Sequence, residues 1–278
     1  MYSIGVGLAD SYSTITKFDN PEGALNNYYE GKRIGEIWGY VTDGFIQDEA
    51  EAQRMATIQG DISKTWKVGD IRYKDLDGVE GITSAKTIYN TGDQKVIGNT
   101  TPRYSFNINA SASWKGFDVR VFFEGIAKRD LWIDSPVFWG FPSNSNVWQS
   151  AVNDYHVDNS WSENNTNAYY PLPSYSGRSK QTQTKYLQNG AYIRLKDLTI
   201  SYTIPKAWIS TVGIEQLKVF ASGQNLWVGT KLFKYLDPDI VSTRQSNSKD
   251  NKLVGNLTSD GKAYPFSRTF SFGINLTF

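Results

Sequence analysis

The stretch RYSFNINASASWKGFDVRVFFEG, Arg103 to Gly125, decides the fold. Tyr104, Phe106, Ile108, Ala110, Ala112 and Trp114 alternate with Ser105, Asn107, Asn109, Ser111 and Ser113. An extended chain sends the first set to one face and the second to the other. Lys115-Gly116 supplies a two-residue turn, after which Phe117, Val119, Val121 and Phe123 resume the apolar face. The spacing predicts a long antiparallel hairpin. Trp114 and Phe117 flank its turn, where a bilayer-spanning barrel places interfacial aromatics.

The same alternation recurs in RTFSFGINLTF, where Phe270, Phe272, Ile274, Leu276 and Phe278 share a face, and near the start in Tyr2, Ile4, Val6 and Leu8. With IGEIWGYVTDGFIQ and the two segments around Leu198 and Leu217, it predicts seven long strands at roughly 2–15, 34–47, 103–114, 117–127, 191–204, 216–228 and 266–278. Most reach the ~9–11 residues that cross a bilayer. Asp48 to Gln59 reads as one short exposed helix with an Asp start.

Links at 115–116 and 205–215 are short, while 48–102, 128–190 and 229–265 are long. Outer-membrane barrels alternate short periplasmic turns with long extracellular loops in this way. Counting back from a periplasmic C-terminus puts the long links outside and assigns 16–33 to the periplasmic side. The competing fold is a soluble, aromatic-rich glycan-binding β-sandwich, in which a second sheet covers each apolar face. Strand length separates them, because sandwich strands commonly run about 5–6 residues.

Bulk properties exclude several functions. Lys+Arg 29 against Asp+Glu 28 gives a net charge of +1, too weak a field for nucleic-acid binding. Cysteine is absent, which removes disulfides, thiolate metal sites and cysteine nucleophiles. A single histidine, His156, lies in a polar stretch without a nucleophile-elbow sequence, so no triad is expected. Mean hydropathy is −0.47, an average that hides strands exposing lipid-facing residues at every second position. MYSIGVGLAD carries no secretory signal, and Met1 is expected to be an added or internal start in a longer chain.

YYEGKRIGEIWGYVTDGFIQ, GDIRYKDLDG, VIGNTTPRYSFNINASASWKGFDVRVFFEG, YLQNGAYIRLKDLTISYTIP, LKVFASGQNLWV and YPFSRTFSFGINLTF, in this order, resemble the C-terminal part of the SusC/RagA-type TonB-dependent transporters of Bacteroidetes. The resemblance spans nearly the whole chain. It implies that residues 1–278 are the C-terminal part of an all-β, antiparallel transmembrane barrel in the cell outer membrane, with the plug domain and TonB box absent. It further implies a non-enzymatic role in nutrient import, with a SusD-like surface lipoprotein, the TonB complex and outer-membrane lipid as partners and a glycan or peptide as substrate. On the same basis Phe270, Phe272, Ile274, Leu276 and Phe278 resemble the signal that the outer-membrane assembly machinery recognises, an edge open to strand addition.

Three groups are candidates for chemistry. Trp132, Trp139, Trp148, Tyr155, Trp161, Tyr169 and Tyr170 crowd the 128–190 link among amides and carboxylates. Their faces suit stacking on sugars, or else the rings pack the loop against itself. Asp75 and Asp77 ahead of Gly78 invite a calcium reading, but Val79 stands where the next ligand belongs and only Glu80 is near, so a solvated turn competes. Otherwise no cofactor is expected. Asp237 and Asp239 could form a glycosidase pair, but flank Pro238 as a turn would.

Overall fold

The computed structural model describes residues 1–141, 150–209, 213–240 and 265–278. Its main element is one six-stranded antiparallel sheet formed by β1 (Tyr2–Ala9), β6 (Arg103–Trp114), β7 (Phe117–Lys128), β10 (Tyr192–Thr203), β11 (Gln216–Thr230) and β12 (Thr269–Thr277). Neighbours in the sheet follow that chain order without a crossover. Lys115 and Gly116 both adopt positive φ, 47° and 87°, the left-handed pair that a tight hairpin matching strand twist requires.

Register converts the alternation into two chemically distinct walls. Ile4, Ala110, Val121, Leu198, Gly223 and Phe270 line up across all six strands, as do Tyr2, Ala112, Val119, Ile200, Ala221 and Phe272. On the opposite wall the row is Ser3, Ser111, Arg120, Thr199, Ser222 and Ser271. An irregularity in β10 between Leu195 and Asp197 resets the parity, so Leu195 and Leu198 share the apolar wall although three positions apart. No second sheet covers this wall among the described residues, which excludes the sandwich. Ile200, Ile274 and Phe272 are 46%, 64% and 81% exposed.

The expected strand at 34–47 does not join the sheet. It divides into β2 (Glu36–Tyr40) and β3 (Thr42–Phe45), which pair with β5 (Gln94–Asn99) and β4 (Ile71–Tyr73). The physical reason is that Ile37, Tyr40, Phe45 and Ile46 are all buried, so the segment packs inside a core and cannot line a sheet with one open face. The sheet has six strands, not seven. Sidedness changes with it: 16–33 belongs to the long β1–β6 link, tied there by Ile15 N–H to Lys32 O and Leu25 N–H to Lys86 O. All three long links therefore leave from one end of the sheet.

The described parts of those links fold together into a second, compact body. It contains β2 to β5, the short pair β8 (Asp130–Leu131) and β9 (Gln188–Asn189), and helices α1 (Glu49–Ile58), α2 (Pro136–Trp139) and α3 (Asp154–Asn159). A further turn of helix, α4 (Lys206–Ile209), occupies the β10–β11 link at the opposite end. Helix α1 lies where expected, and Asp48 caps it by accepting Glu51 N–H, but it is not exposed: Ala52 and Met55 enter the core. It is amphipathic, with Glu51, Ala52 and Met55 buried. The hydrophobic core lies entirely in this body, from Ile37 to Ile82, Leu131 to Tyr186 and Leu232 to Leu236. No described helix is long and apolar enough to cross a membrane, which has no bearing on crossing by strands.

Candidate functional site

Phe138 organises the centre of the loop body. Its ring is fully buried and stands edge-on to Trp139, Tyr170, Tyr186 and Phe233 at centroid distances of 5.1, 5.6, 6.5 and 5.3 Å. Ser135 caps α2 by accepting Val137 N–H, which aims Phe138 and Trp139 inward. Trp161 lies over Gly69, where a Cβ would sit 2.3 Å from the indole and φ is +86°.

Of the rings expected to meet a ligand, Trp132, Trp139, Trp161 and Tyr170 are thus buried. Tyr155 and Tyr169 are half-buried within the same cluster, and Trp148 lies outside the described residues. The described rings of this loop pack on one another. Burial also raises the phenols of Tyr169 and Tyr170 and keeps them neutral; Tyr169 OH accepts from Gln188 Nε2 at 3.1 Å, whereas the buried Tyr170 OH has no hydrogen-bond partner among the described residues.

His156, a residue without catalytic context in the sequence, is structural. It is 1% exposed, with Nε2 donating to the Phe138 carbonyl at 3.2 Å and Nδ1 facing the Asn153 backbone N–H at 3.4 Å. Burial lowers its pKa, with Lys234 adding to the effect. Lys180 is held at about 8 by burial while donating to the carbonyls of Phe141 and Ser174 at 2.8 and 2.6 Å.

The loop body is bolted across its own links and onto the sheet. Buried Asp70 accepts from Arg178 Nε at 2.6 Å and Ser179 Oγ at 2.9 Å, joining the first long link to the second. On the polar wall, Arg194 pairs with Asp237, while Lys196 contacts Glu124 at 2.7 Å and Asp239 at 3.1 Å. Tyr192 OH donates to Asp239 at 2.9 Å, and Asp239 N–H returns to Asp237 Oδ1 at 3.0 Å. The Asp237–Pro238–Asp239 turn is therefore an anchor for the third link. Sequence reading missed its partners Arg194, Lys196 and Tyr192, because the alternation through Leu198 and Ile200 carries Tyr192 and Arg194 onto the apolar wall, and only the irregularity between Leu195 and Asp197 returns them to the polar one.

Asp75 and Asp77 come within 4.8 Å of a third carboxylate, Asp93, which is buried. Each already accepts backbone N–H: Asp75 from Gly78, Asp77 from Val79, and Asp93 from Leu76 and Thr83. These three are the residues that could hold a divalent cation, and the same bonds form the turn without one. Asp93 was out of reach of the sequence motif because it lies beyond the loop. Phe270, Phe272, Ile274 and Leu276 lie on the exposed wall of β12, a sheet edge among the described residues, and Phe278 is exposed just past its end.

No family model matches the chain. Over 249 residues, 90% of the chain, it is 30% identical to TonB-dependent receptor P3 of Formosa agariphila. Over 222 residues, 76% of the chain, it is 26% identical to TonB-dependent receptor P26 of the same organism. The chain spans 22% and 20% of the length of these two relatives. In fold, all of it superposes on 26% of a chain in the RagAB peptide importer in its open-open state, with a TM-score of 0.63 and 18% identity. It also superposes on 27% of a chain in the RagAB peptide transporter, with a TM-score of 0.58 and 18% identity.

Proposed function

Given that the chain is of the SusC/RagA type of TonB-dependent transporter, we propose that it builds part of the wall and mouth of an outer-membrane nutrient importer. The observation that carries this reading is the unpartnered apolar wall, continuous in register over six strands and backed by a polar wall. Hydrocarbon is the solvent for one side and a hydrated conduit for the other. Trp114, Phe117 and Trp208, all exposed at the turn end, would lie at the periplasmic interface, and the loop body would face outward as the mouth.

In this reading residues 1–278 are the C-terminal portion of the barrel, and energy arrives through a TonB box and plug elsewhere in the protein. A SusD-like lipoprotein covers the loop body. The cargo is a glycan or oligopeptide. Its recognition falls to polar-wall and mouth residues more than to Trp132, Trp139 and Trp161, whose burial withholds the faces a sugar would stack on. The apolar stripe from Phe270 to Phe278 serves assembly as the strand presented to the insertion machinery.

Because the chain has no cysteine, single cysteines report cleanly. A fluorophore at Val121→Cys in the full-length transporter should be quenched by lipid-borne quenchers and spared by aqueous ones, and one at Val157→Cys should behave oppositely. Aqueous quenching at both positions would end the barrel reading. Uptake of labelled peptides and glycans by cells with and without the gene then assigns the cargo.

A further inference from the structure

We propose that the polar wall carries, just beneath the loop body, a subsite for a short zwitterionic peptide, with Glu124 holding the ammonium end and Lys128 the carboxylate end. The inference rests on the polar wall lining the conduit, and it deepens that reading by choosing between the two cargo classes.

Three observations converge there. Register sets Asn107, Glu124 and Arg194 in one row of the polar wall and Ser105, Ile126 and Tyr192 in the next, at the loop end of the sheet. Asn107, Glu124, Ser105, Ile126 and Tyr192, with Phe122 from the row below, line a hollow of about 520 Å³. Tyr192 is fixed there by its hydroxyl, which donates to Asp239 at 2.9 Å. Opposite charges then stand on one face of β7: Glu124 lines the hollow, and Lys128, the last residue of the strand, follows two same-face steps on. Four residues of strand set their Cα atoms about 14 Å apart, which their flexible side chains narrow to the roughly 10 Å between the ends of an extended tripeptide.

The third observation is that these two charges are available while their neighbours are engaged. Arg103, opposite Lys128, is bound by Asp10, and Arg194 is bound by Asp237. Among the described residues Lys128 forms no ion pair, and it is exposed. Glu124 does pair with Lys196 at 2.7 Å, but Lys196 also reaches Asp239 at 3.1 Å, so an incoming ammonium takes Glu124 without stranding Lys196. The side chains of Glu124 and Lys196 are 31% and 29% exposed, and exchanging one solvated partner for another costs little.

The occupant follows from charge. A neutral glycan offers neither sign, and an acidic glycan meets Lys128 but is repelled by Glu124. A short peptide with free termini carries both signs at its two ends. The amide of Asn107 and the hydroxyl of Ser105 lie along the same path and supply donors and acceptors for its backbone.

The test is calorimetric titration of the full-length transporter in detergent with trialanine, N-acetylated trialanine, C-amidated trialanine and maltotriose. Each cap should weaken binding about fivefold, the worth of one solvated charge pair. Glu124→Gln should abolish the penalty of acetylation and keep that of amidation, and Lys128→Gln should do the reverse. Because each variant retains its response to the other cap, a general loss of fold cannot imitate this crossed pattern. Trialanine that does not bind, caps that carry no penalty, penalties that persist in both variants, or maltotriose bound as tightly as trialanine each overturn the proposal. The Val121→Cys label separates its failure from that of the importer reading. Lipid quenching with persistent penalties removes this subsite and leaves the barrel, whereas aqueous quenching removes both.

Discussion

The sheet and the loop body invert each other's rules. In the sheet, apolar residues as large as Phe272 and Trp114 are exposed while Ser201 is buried, and none of the six strands contributes to the main core cluster, Tyr192 on β10 being buried apart from it. In the loop body, Phe138, Ile46, Ile71 and Tyr186 are closed off from solvent, and the strands are two to six residues long. One region leaves its apolar face uncovered among the described residues; the other carries its own interior. The wall and water-facing mouth of the proposed importer would make these opposite demands, and one chain meets both by alternating long strands with long links.

The comparison breaks most sharply at Phe138. Phe138→Ala removes the ring at the meeting point of the second and third links and should cost the loop body about 3–5 kcal/mol. Limited proteolysis of the full-length protein in detergent should cut the links while the sheet strands stay protected. Equal loss in both regions would mean that the body and the wall fold as one unit.

Val121→Arg tests the other side. It places a charge at mid-strand on the apolar wall, between Ala110 and Leu198. In a bilayer the cost should be about 2–4 kcal/mol, read from urea titration of refolding into vesicles. On a wall facing water the change would be within about 0.5 kcal/mol, as for ordinary surface substitutions.

The periodicity of the wall was legible because a strand writes each face at every second position, and Arg103 to Gly125 does so almost without a break. The loop body was not. Its core is assembled from links far apart in the chain, so Phe138 meets Phe233 and Tyr73 meets Arg178 with no local signal. The segment at 34–47 reads as one long strand by composition, and the sequence does not show that its partners β4 and β5 lie in the same link and bury Ile37, Tyr40 and Phe45. Aromatic crowding between 128 and 190 was visible, but whether rings face a ligand or each other depends on partners such as Gly69 and Phe233, outside that stretch.

The seam between the two regions offers a smaller effect. Asp237→Asn removes the carboxylate bound to buried Arg194, and Asp239, at 3.6 Å from Arg194 Nε, takes over part of the role. The expected cost is about 1–3 kcal/mol, that of a buried group losing its best partner. Because the anchor ties the third link to the polar wall, hydrogen exchange should speed up around Leu232 to Leu236 and stay unchanged at the turn end of the sheet. Exchange rising evenly over both would mean the anchor stabilises the fold generally and not the seam.

The smallest effect separates the regions by pH. His156 is buried with its Nε2 bonded to the Phe138 carbonyl, and its pKa is lowered from the ordinary 6.5 by burial, with Lys234 nearby. An unfolded loop body therefore binds a proton more readily than the folded one once pH drops below about 6.5. The stability this neutral ring contributes is full above that value and is lost as pH falls through the lowered folded pKa. Loop-body stability should decline on acidification, by about 1.4 kcal/mol for each unit of lowering, and Asn or Gln at 156 should flatten the decline. The single histidine makes the assignment unambiguous among imidazoles, and no sheet strand contains one. If proteolytic opening of the links in the wild type and in His156→Gln follows the same pH curve, carboxylates govern the acid response and the imidazole does not.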